Sequence, residues 1–267
     1  MDELIRRLET YYDTAPRASA HVEEIGPFTL FVADRGWPYY ARPRLGLDVE
    51  VSEADVRAAL ARQTELGLPR SLEWVHEVTP SLLRAARDAD LQVEECPLLV
   101  LDEISVPASP DDVTVRMLDP DDPEHGGVHA AIEVGFSISG TDRGSASVKE
   151  RDAMLAGSTP NPVQETHRRT LMEQGLLAIA GAFDGSGALG GGSHSPRAEV
   201  TEITGVAVLP AARRRGVGAM LTAALAADAC GRGVETVFCS AASQAVARVY
   251  ESIGFRRVGT ACIAELP

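Results

Sequence analysis

Three consecutive arginines, Arg213, Arg214 and Arg215, run directly into Gly216-Val217-Gly218. Behind them Val217, Met220, Leu221, Ala224 and Leu225 repeat at i, i+3 and i+4, the apolar stripe of a helix. The first turn of a helix carries backbone N–H groups without partners and the positive end of the peptide dipole. Glycine lets a ligand come close to the backbone. The pattern therefore predicts an anion site, most naturally for phosphate, with arginine charge suited to a polyanion. The same residues also fit a solvated basic run ahead of an ordinary helix. Two familiar phosphate motifs do not fit. Leu221 stands at the third glycine position of a dinucleotide fingerprint, and no Gly-Lys-Ser/Thr is present.

The segment feeding this loop, EVTEITGVAVLP (199–210), reads as a long strand. Ile203 lies on the odd parity and Val206 and Val208 on the even, so the apolar side switches across Gly205. A glycine inside a strand marks a bulge that re-aims side chains. A strand buried on both faces gives the same pattern.

These elements need a frame. Around them the spacing predicts strands at 113–118, 176–184, 188–194 (turned by Ser195-Pro196) and 235–240, helices near 125–136, 147–156 and 163–174, a helix from Ser243 to Gly254, and a last strand after Phe255. The first hundred residues read as a helix (1–11), strands at 28–34 and 39–46 around Gly36-Trp37-Pro38, and a helix opened by the Ser52/Asp55 capping spacing. That helix presents Val56, Ala59, Leu60, Gln63 and Leu66 on one face, up to Gly67. A strand at 72–78, a helix from Thr79-Pro80 to Ala89 and a strand at 95–104 follow. The proline-rich, polar SVPASPDD (105–112) separates two parts, 1–107 and 112–267. Mixed strands and helices give an α/β class with an α+β mixed sheet.

The 267 residues are 45% hydrophobic and 24% charged, an ordinary globular balance. The net charge of −14 argues against nucleic-acid binding and favours cationic partners. Cys96, Cys230, Cys239 and Cys262 show no metal-ligand spacing, so buried thiols in a reducing compartment and no metal are expected. The charged start MDELIRRLETYY is not a signal peptide, and no apolar run is long enough to span a membrane. A cytoplasmic protein without membrane partners is the expectation.

VAVLPAARRRGVGAML resembles the strand, loop and helix of the GNAT superfamily of N-acetyltransferases, whose pattern is Arg or Gln, two residues, Gly, one residue, then Gly or Ala. Arg213, Gly216 and Gly218 fit it. AVARVYESIGF (245–255) is similar to the family's second motif, with Tyr250 and Gly254-Phe255 in place. The resemblance covers about residues 112–267. It implies the GNAT-like acyl-CoA N-acyltransferase fold, a mixed sheet splayed between the strands at 200–209 and 235–240, and acetyl-CoA as cosubstrate in the gap. The backbone amides of Arg215, Gly216, Val217, Gly218 and Ala219 would hold its pyrophosphate, with Arg213 and Arg214 adding charge. The backbone of Val206, Ala207 and Val208 would run along the pantetheine arm and acetyl carbonyl. Many members have Asn where Ser243 stands, a further cofactor contact by position.

The resemblance implies direct transfer to an amine. An alkylammonium of pKa ~10.4 is only about 1/2500 neutral at pH 7, a deficit of roughly 4.6 kcal/mol, so a base or water chain is useful. Glu202 is the candidate, since some members carry a strand glutamate at the matching place. His167 and His194 are alternatives, although a lone histidine is more often a packing residue. Tyr250 would donate to the departing sulfur. A phenol near ~10 against a thiol near ~8.5 makes full proton transfer uphill by about 2 kcal/mol, which favours a strong hydrogen bond. A core tyrosine beside Val246, Val249 and Ile253 fits the same pattern. Cys239, on the strand beside the gap, is expected to be inert.

Residues 70–95 weakly echo 235–258, with Asp90-Leu91 where Gly254-Phe255 would be. This implies a tandem arrangement with a degenerate GNAT-like half. Its loop LDVEVS (47–52) is acidic and without glycine, so it would repel pyrophosphate. Trp37, Tyr39, Tyr40 and Trp74 could line a pocket there, although core packing is the ordinary use of aromatics. The combined expectation is an N-acetyltransferase acting on a small-molecule or peptide amine. A non-catalytic acyl-CoA-binding or regulatory module, and a transferase of another acyl group, are the alternatives.

Overall fold

Ser52 and Asp55 show how local chemistry starts an element here. The Ser52 hydroxyl accepts from the Asp55 N–H at 3.3 Å, and the Asp55 carboxylate accepts from the Ser52 N–H at 2.9 Å. This reciprocal cap opens a helix whose buried face is Val56, Ala59, Leu60 and Gln63. Gln63 is buried because its amide donates to Ser71 O at 2.8 Å. The computed structural model describes residues 3–33, 38–106, 110–159 and 161–266. The chain forms two compact units, Met1–Leu98 with Val258–Pro267, and Leu99–Arg257.

The first unit runs α1 (Glu3–Thr14), β1 (Ala20–Ile25), β2 (Phe28–Ala33), β3 (Arg42–Pro43), α2 (Glu53–Glu65), β4 (Ser71–Val75), α3 (Ser81–Asp88) and the start of β5 (Gln92–Leu101). β1 and β2 form a hairpin from Ala20↔Ala33 to Ile25↔Phe28. The strand expected at 39–46 shrinks to Arg42–Pro43, where Pro43 brings no N–H to continue the ladder. The strand expected at 72–78 ends at Val75. Gly36 and Trp37 lie outside the described residues, as do 107–109 of the separating segment. Trp74 is buried with Phe28, Leu30, Leu60 and Leu82, which is the core use of that aromatic.

The second unit holds β6 (Thr114–Met117), α4 (His125–Phe136), α5 (Val148–Gly157), α6 (Pro162–Glu173), β7 (Ala178–Asp184), β8 (Gly187–Arg197), β9 (Val200–Val208), α7 (Val217–Gly231), β10 (Thr236–Ser240), α8 (Gln244–Glu251) and the start of β11 (Phe255–Glu265). Its strand order is β5-β10-β9-β8-β7-β6. β6 to β9 are antiparallel neighbours, and β10 joins β9 in parallel through the α7 crossover. β8 runs past the turn expected at Ser195-Pro196: both residues occupy rungs opposite Glu202 and Thr201, and the chain reverses at Ala198, with φ +50°.

Adjacent glycines of β8 locate the two helical layers. A Cβ on Gly191 would meet Val128 of α4 at 2.4 Å, and one on Gly192 would meet Leu225 of α7 at 3.1 Å. Neighbouring strand residues point to opposite faces, so α4 and α7 cover opposite sides of the sheet. Both pack closer than any side chain on these strand positions would allow.

The echo between the halves is visible in the elements. β4, α3 and β5 have 5, 8 and 10 residues, and β10, α8 and β11 have 5, 8 and 11. After each short helix one residue takes a left-handed turn: Gly254 at φ +103° and Asp90 at φ +66°. The chain has a mixed α/β architecture in which this strand, helix and strand order recurs in both halves.

Candidate active site

The parallel ladder between β9 and β10 has three rungs: Thr236↔Val200, Val237↔Thr201 and Phe238↔Glu202. β9 continues six residues beyond Glu202, and β10 two beyond Phe238. Pairing ends at this rung although both strands run on, an opening of the ladder beyond Glu202.

A bulge in β9 directs that opening. Ser193 of β8 pairs with Thr204 and Gly191 with Ala207, so Gly205 and Val206 together face Gly192. Gly205 takes φ +67°. Before the bulge, buried Thr201 and Ile203 face α7; after it, Val206 contacts Leu225's neighbour Gly192 on that face, while Ala207 turns towards Gly135 of α4. The parity switch in the sequence is therefore a bulge, and Val206, Ala207 and Val208 border the opened edge.

Past Val208 the chain makes a 3-10 turn (Pro210–Ala212). Arg214 adopts φ +63° and Gly216 φ +80°. The first helical N–H of α7 to find a partner is that of Met220, which donates to Gly216 O at 3.0 Å. No side chain caps this end. The N–H groups of Val217, Gly218 and Ala219 are thus the orphan donors of a helix N-terminus. A Cβ on Gly218 would meet nothing nearer than Val208 Cγ2 at 3.9 Å, so packing does not require glycine there.

The three arginines diverge. Arg214 is exposed. Arg215 donates to Asp112 Oδ2 at 2.6 Å. The Arg213 guanidinium donates to four backbone carbonyls: Gly135 and Ile138 at 2.7 Å each, and Val208 and Asp142 at 3.3 Å each. No residue type marks this grip beyond Gly135 near the end of α4. A Cβ there would lie 2.9 Å from Ala207 Cβ, a mark of close approach.

Glu202 is half-buried on the face opposite His194, between Ser195 of β8 and Phe238 of β10. Next along β10, the Cys239 thiol is pushed well above its usual range by burial and then by the Glu202 carboxylate. Burial, with Cys239 adding to it, likewise raises the Tyr250 phenol far above its ordinary value. Glu202, Cys239 and Tyr250 therefore form one electrostatic neighbourhood. Tyr250 is buried beside Phe255, ring centroids 6.0 Å apart. Ser243 caps α8, its hydroxyl accepting from Val246 N–H at 3.3 Å.

The alternative bases lie elsewhere. His194 is fully buried; its Nε2 donates to Asp228 at 2.8 Å and its Nδ1 accepts from Thr201 at 3.1 Å. Burial lowers its pKa despite Asp228. His167 sits on α6, a helix that buries none of its residues. Cys96, Cys239 and Cys262 are buried, but Cys230 is exposed because it falls off the α7 face marked by Ala226 and Ala229. Among the described residues no group of three or more His, Cys, Asp and Glu side chains is arranged to hold a metal ion, and no helix is long and apolar enough to cross a membrane.

Comparison with known proteins agrees with this geometry. Residues 152–255 match the model of the acetyltransferase (GNAT) family. Among solved structures, a GCN5-related N-acetyltransferase from Kribbella flavida is 20% identical over 98% of this chain and 95% of its own, with TM-score 0.67. A GNAT-family protein from Novosphingobium aromaticivorans is 17% identical over 100% of both chains, with TM-score 0.56. A tandem GNAT protein from the clavulanic acid biosynthesis pathway is 13% identical over 89% of this chain and 77% of its own, with TM-score 0.54. No curated relative matches the chain.

Proposed function

We propose that the chain is an acetyl-CoA-dependent N-acetyltransferase that modifies a primary amine of a small molecule or peptide. The observation that carries this reading is the opening beyond the Glu202/Phe238 rung, bordered by the uncapped N-terminus of α7. The residues fit the cosubstrate. Orphan N–H groups of Val217, Gly218 and Ala219, with the neighbouring amides of Arg215 and Gly216, suit a pyrophosphate. Gly218 leaves the space before them clear. The β9 edge beyond the Glu202/Phe238 rung suits the amide-bearing pantetheine arm.

Bound acetyl-CoA supplies an acyl thioester open to attack by an amine. Glu202 accepts a proton from the acceptor ammonium, directly or through water, so that the neutral amine reaches the carbonyl carbon. The opening starts at its own rung, which gives the carboxylate its position. Tyr250 keeps its proton across the working pH range because burial opposes the phenolate. It donates a hydrogen bond at the sulfur position as the C–S bond lengthens, stabilising the developing thiolate. Ser243 keeps α8, and with it Tyr250, in place through its cap.

In this reading residues 112–267 are the working GNAT domain and residues 1–107 a degenerate GNAT-like half. The net charge of −14 favours a cationic acceptor. The free thiols fit a reducing compartment such as the cytoplasm. The test is release of free CoA thiol across a panel of amines, with a control lacking acceptor. Amine-dependent release supports the transferase. Acetyl-CoA binding without release from any amine would leave an acyl-CoA-binding module instead.

A further inference from the structure

The densest set of bonds around the α7 loop does not point at the opening. It joins the loop to the segment that follows α4. Besides the four carbonyls gripped by Arg213, Arg143 Nε donates to Arg213 O at 3.2 Å. Gly144 N–H donates to Pro210 O at 3.1 Å, and Ala211 N–H to Ala146 O at 2.9 Å. Gly135 lies so close to β9 that its Cβ would be 3.2 Å from both Val208 N and Val208 O. Residues 135–146 and 208–213 thus form a seam, with one guanidinium at its centre.

Two carbonyls that Arg213 meets are Gly135 O, in the last turn of α4, where helix carbonyls lack N–H partners, and Ile138 O, just past the helix. A third, Val208 O, is the last residue of β9. The fork geometry of a guanidinium can satisfy these separate directions together; a lysine ammonium of similar charge cannot reach all four. Arg213 is therefore fully occupied in joining the end of a helix to the end of a strand.

We propose that Arg213 is a positioning residue that locks the segment 135–146 to the α7 loop, so that a ligand held at the α7 N-terminus also fixes the segment on the α4 side of the opening. This rests on the acetyl-CoA reading above. In that reading Glu202 and Ala207 face the α4 side, and the incoming amine enters there. Donor binding and acceptor placement are then mechanically coupled through one side chain, and Arg213 acts through carbonyls rather than through phosphate charge.

Hydrogen exchange by mass spectrometry on the whole chain, with and without acetyl-CoA, tests this alongside steady-state kinetics. Wild-type protein is expected to show slower exchange on adding acetyl-CoA at residues 214–219 and also at 138–146. In Arg213→Met, slowing at 214–219 persists, while 138–146 exchanges at least about 10-fold faster and no longer responds to ligand. Arg213→Lys behaves like Arg213→Met, the acceptor KM rises at least about 10-fold, and the acetyl-CoA Kd stays within about 3-fold.

Rescue by Arg213→Lys, with acetyl-CoA affinity lost in Arg213→Met, would make Arg213 a phosphate ligand and overturn the proposal. Unchanged exchange at 138–146 in both variants would overturn it too. Should both variants fail to fold, Arg143→Ala removes one bond of the same seam; faster exchange at Gly144 supports the proposal and unchanged exchange sinks it. If wild-type protein shows no slowing at 214–219, the acetyl-CoA reading fails, while the unliganded exchange rates still decide whether Arg213 locks the seam.

Discussion

Glu202 and Phe238 form the last rung between two parallel strands, and everything proposed for the site follows from the chain parting at that point. A carboxylate on the final rung is anchored by the ladder behind it and borders the opening ahead of it. Few other positions on a sheet combine a fixed backbone with access to a ligand.

Glu202→Gln keeps the shape and removes the base. Turnover at pH 7 should fall by about 100-fold, within the range typical of general-base removal. The pH–rate profile should also change, with activity recovering at alkaline pH as free amine becomes abundant. A profile identical to wild type would exclude Glu202 from proton transfer.

Tyr250→Phe removes only the hydroxyl from a buried ring. We expect kcat to fall about 10- to 100-fold while the acetyl-CoA Kd, read by calorimetry, changes less than about 3-fold. Since burial raises the phenol, wild-type enzyme should show no loss of rate from Tyr250 ionisation up to about pH 10. Equal loss of binding and turnover would instead make Tyr250 a core residue.

Gly218→Leu places a side chain where the fold leaves room, at the mouth of the orphan N–H groups. The variant should fold, with a Tm within a few degrees of wild type, yet bind acetyl-CoA at least about 10-fold more weakly by titration calorimetry. Unimpaired binding would put the pyrophosphate elsewhere.

Stability should fall as pH drops below about 7. His194 is buried and its pKa lies below the unfolded value near ~6.5, so the unfolded chain takes up a proton the folded chain resists. Stability is complete above the unfolded pKa and is lost as pH drops through the interval towards the folded pKa. The slope for one proton is at most about 1.4 kcal/mol per pH unit. Asp228, held below the usual carboxylate range by Arg232 and His194 against its burial, adds a second loss at lower pH. Urea midpoints across this range check the slope, and His194→Gln should flatten its upper part.

One thiol should react rapidly with an aromatic disulfide at pH 8, and three only after denaturation. Cys230 is exposed, whereas burial pushes Cys96 up to about 11 and Cys262 up to about 12, and raises Cys239 well above its usual range. Peptide mapping identifies the labelled residue.

The sequence carried the β9 bulge because a glycine and a change of parity coincide there: Ile203 on one side, Val206 and Val208 on the other. It carried α7 and α8 through apolar spacing, with Ser243 read as the start of α8. It did not carry the β1–β2 hairpin, since AHVEEI has neither a buried face nor a run of β-branched residues. Nor did it carry the Arg213 grip. Its partners are carbonyls, which every residue possesses, so apart from Gly135 no residue type in 135–142 marks them. For the same reason three adjacent arginines read as one charge cluster, although the fold sends them to four carbonyls, to solvent and to Asp112.

β11 belongs to the second unit at Phe255–Arg257 and to the first from Val258 onward, where Ala261–Glu265 pair with β4. On a ribosome, residues 99–257 are all synthesised before that partner of β4 exists. The first unit to begin synthesis is therefore the last to be completed. Until residues 258–265 emerge, the β4 edge at Ser71–Val75 stays open, a nascent-chain vulnerability to strand-seeking contacts that the finished protein no longer has.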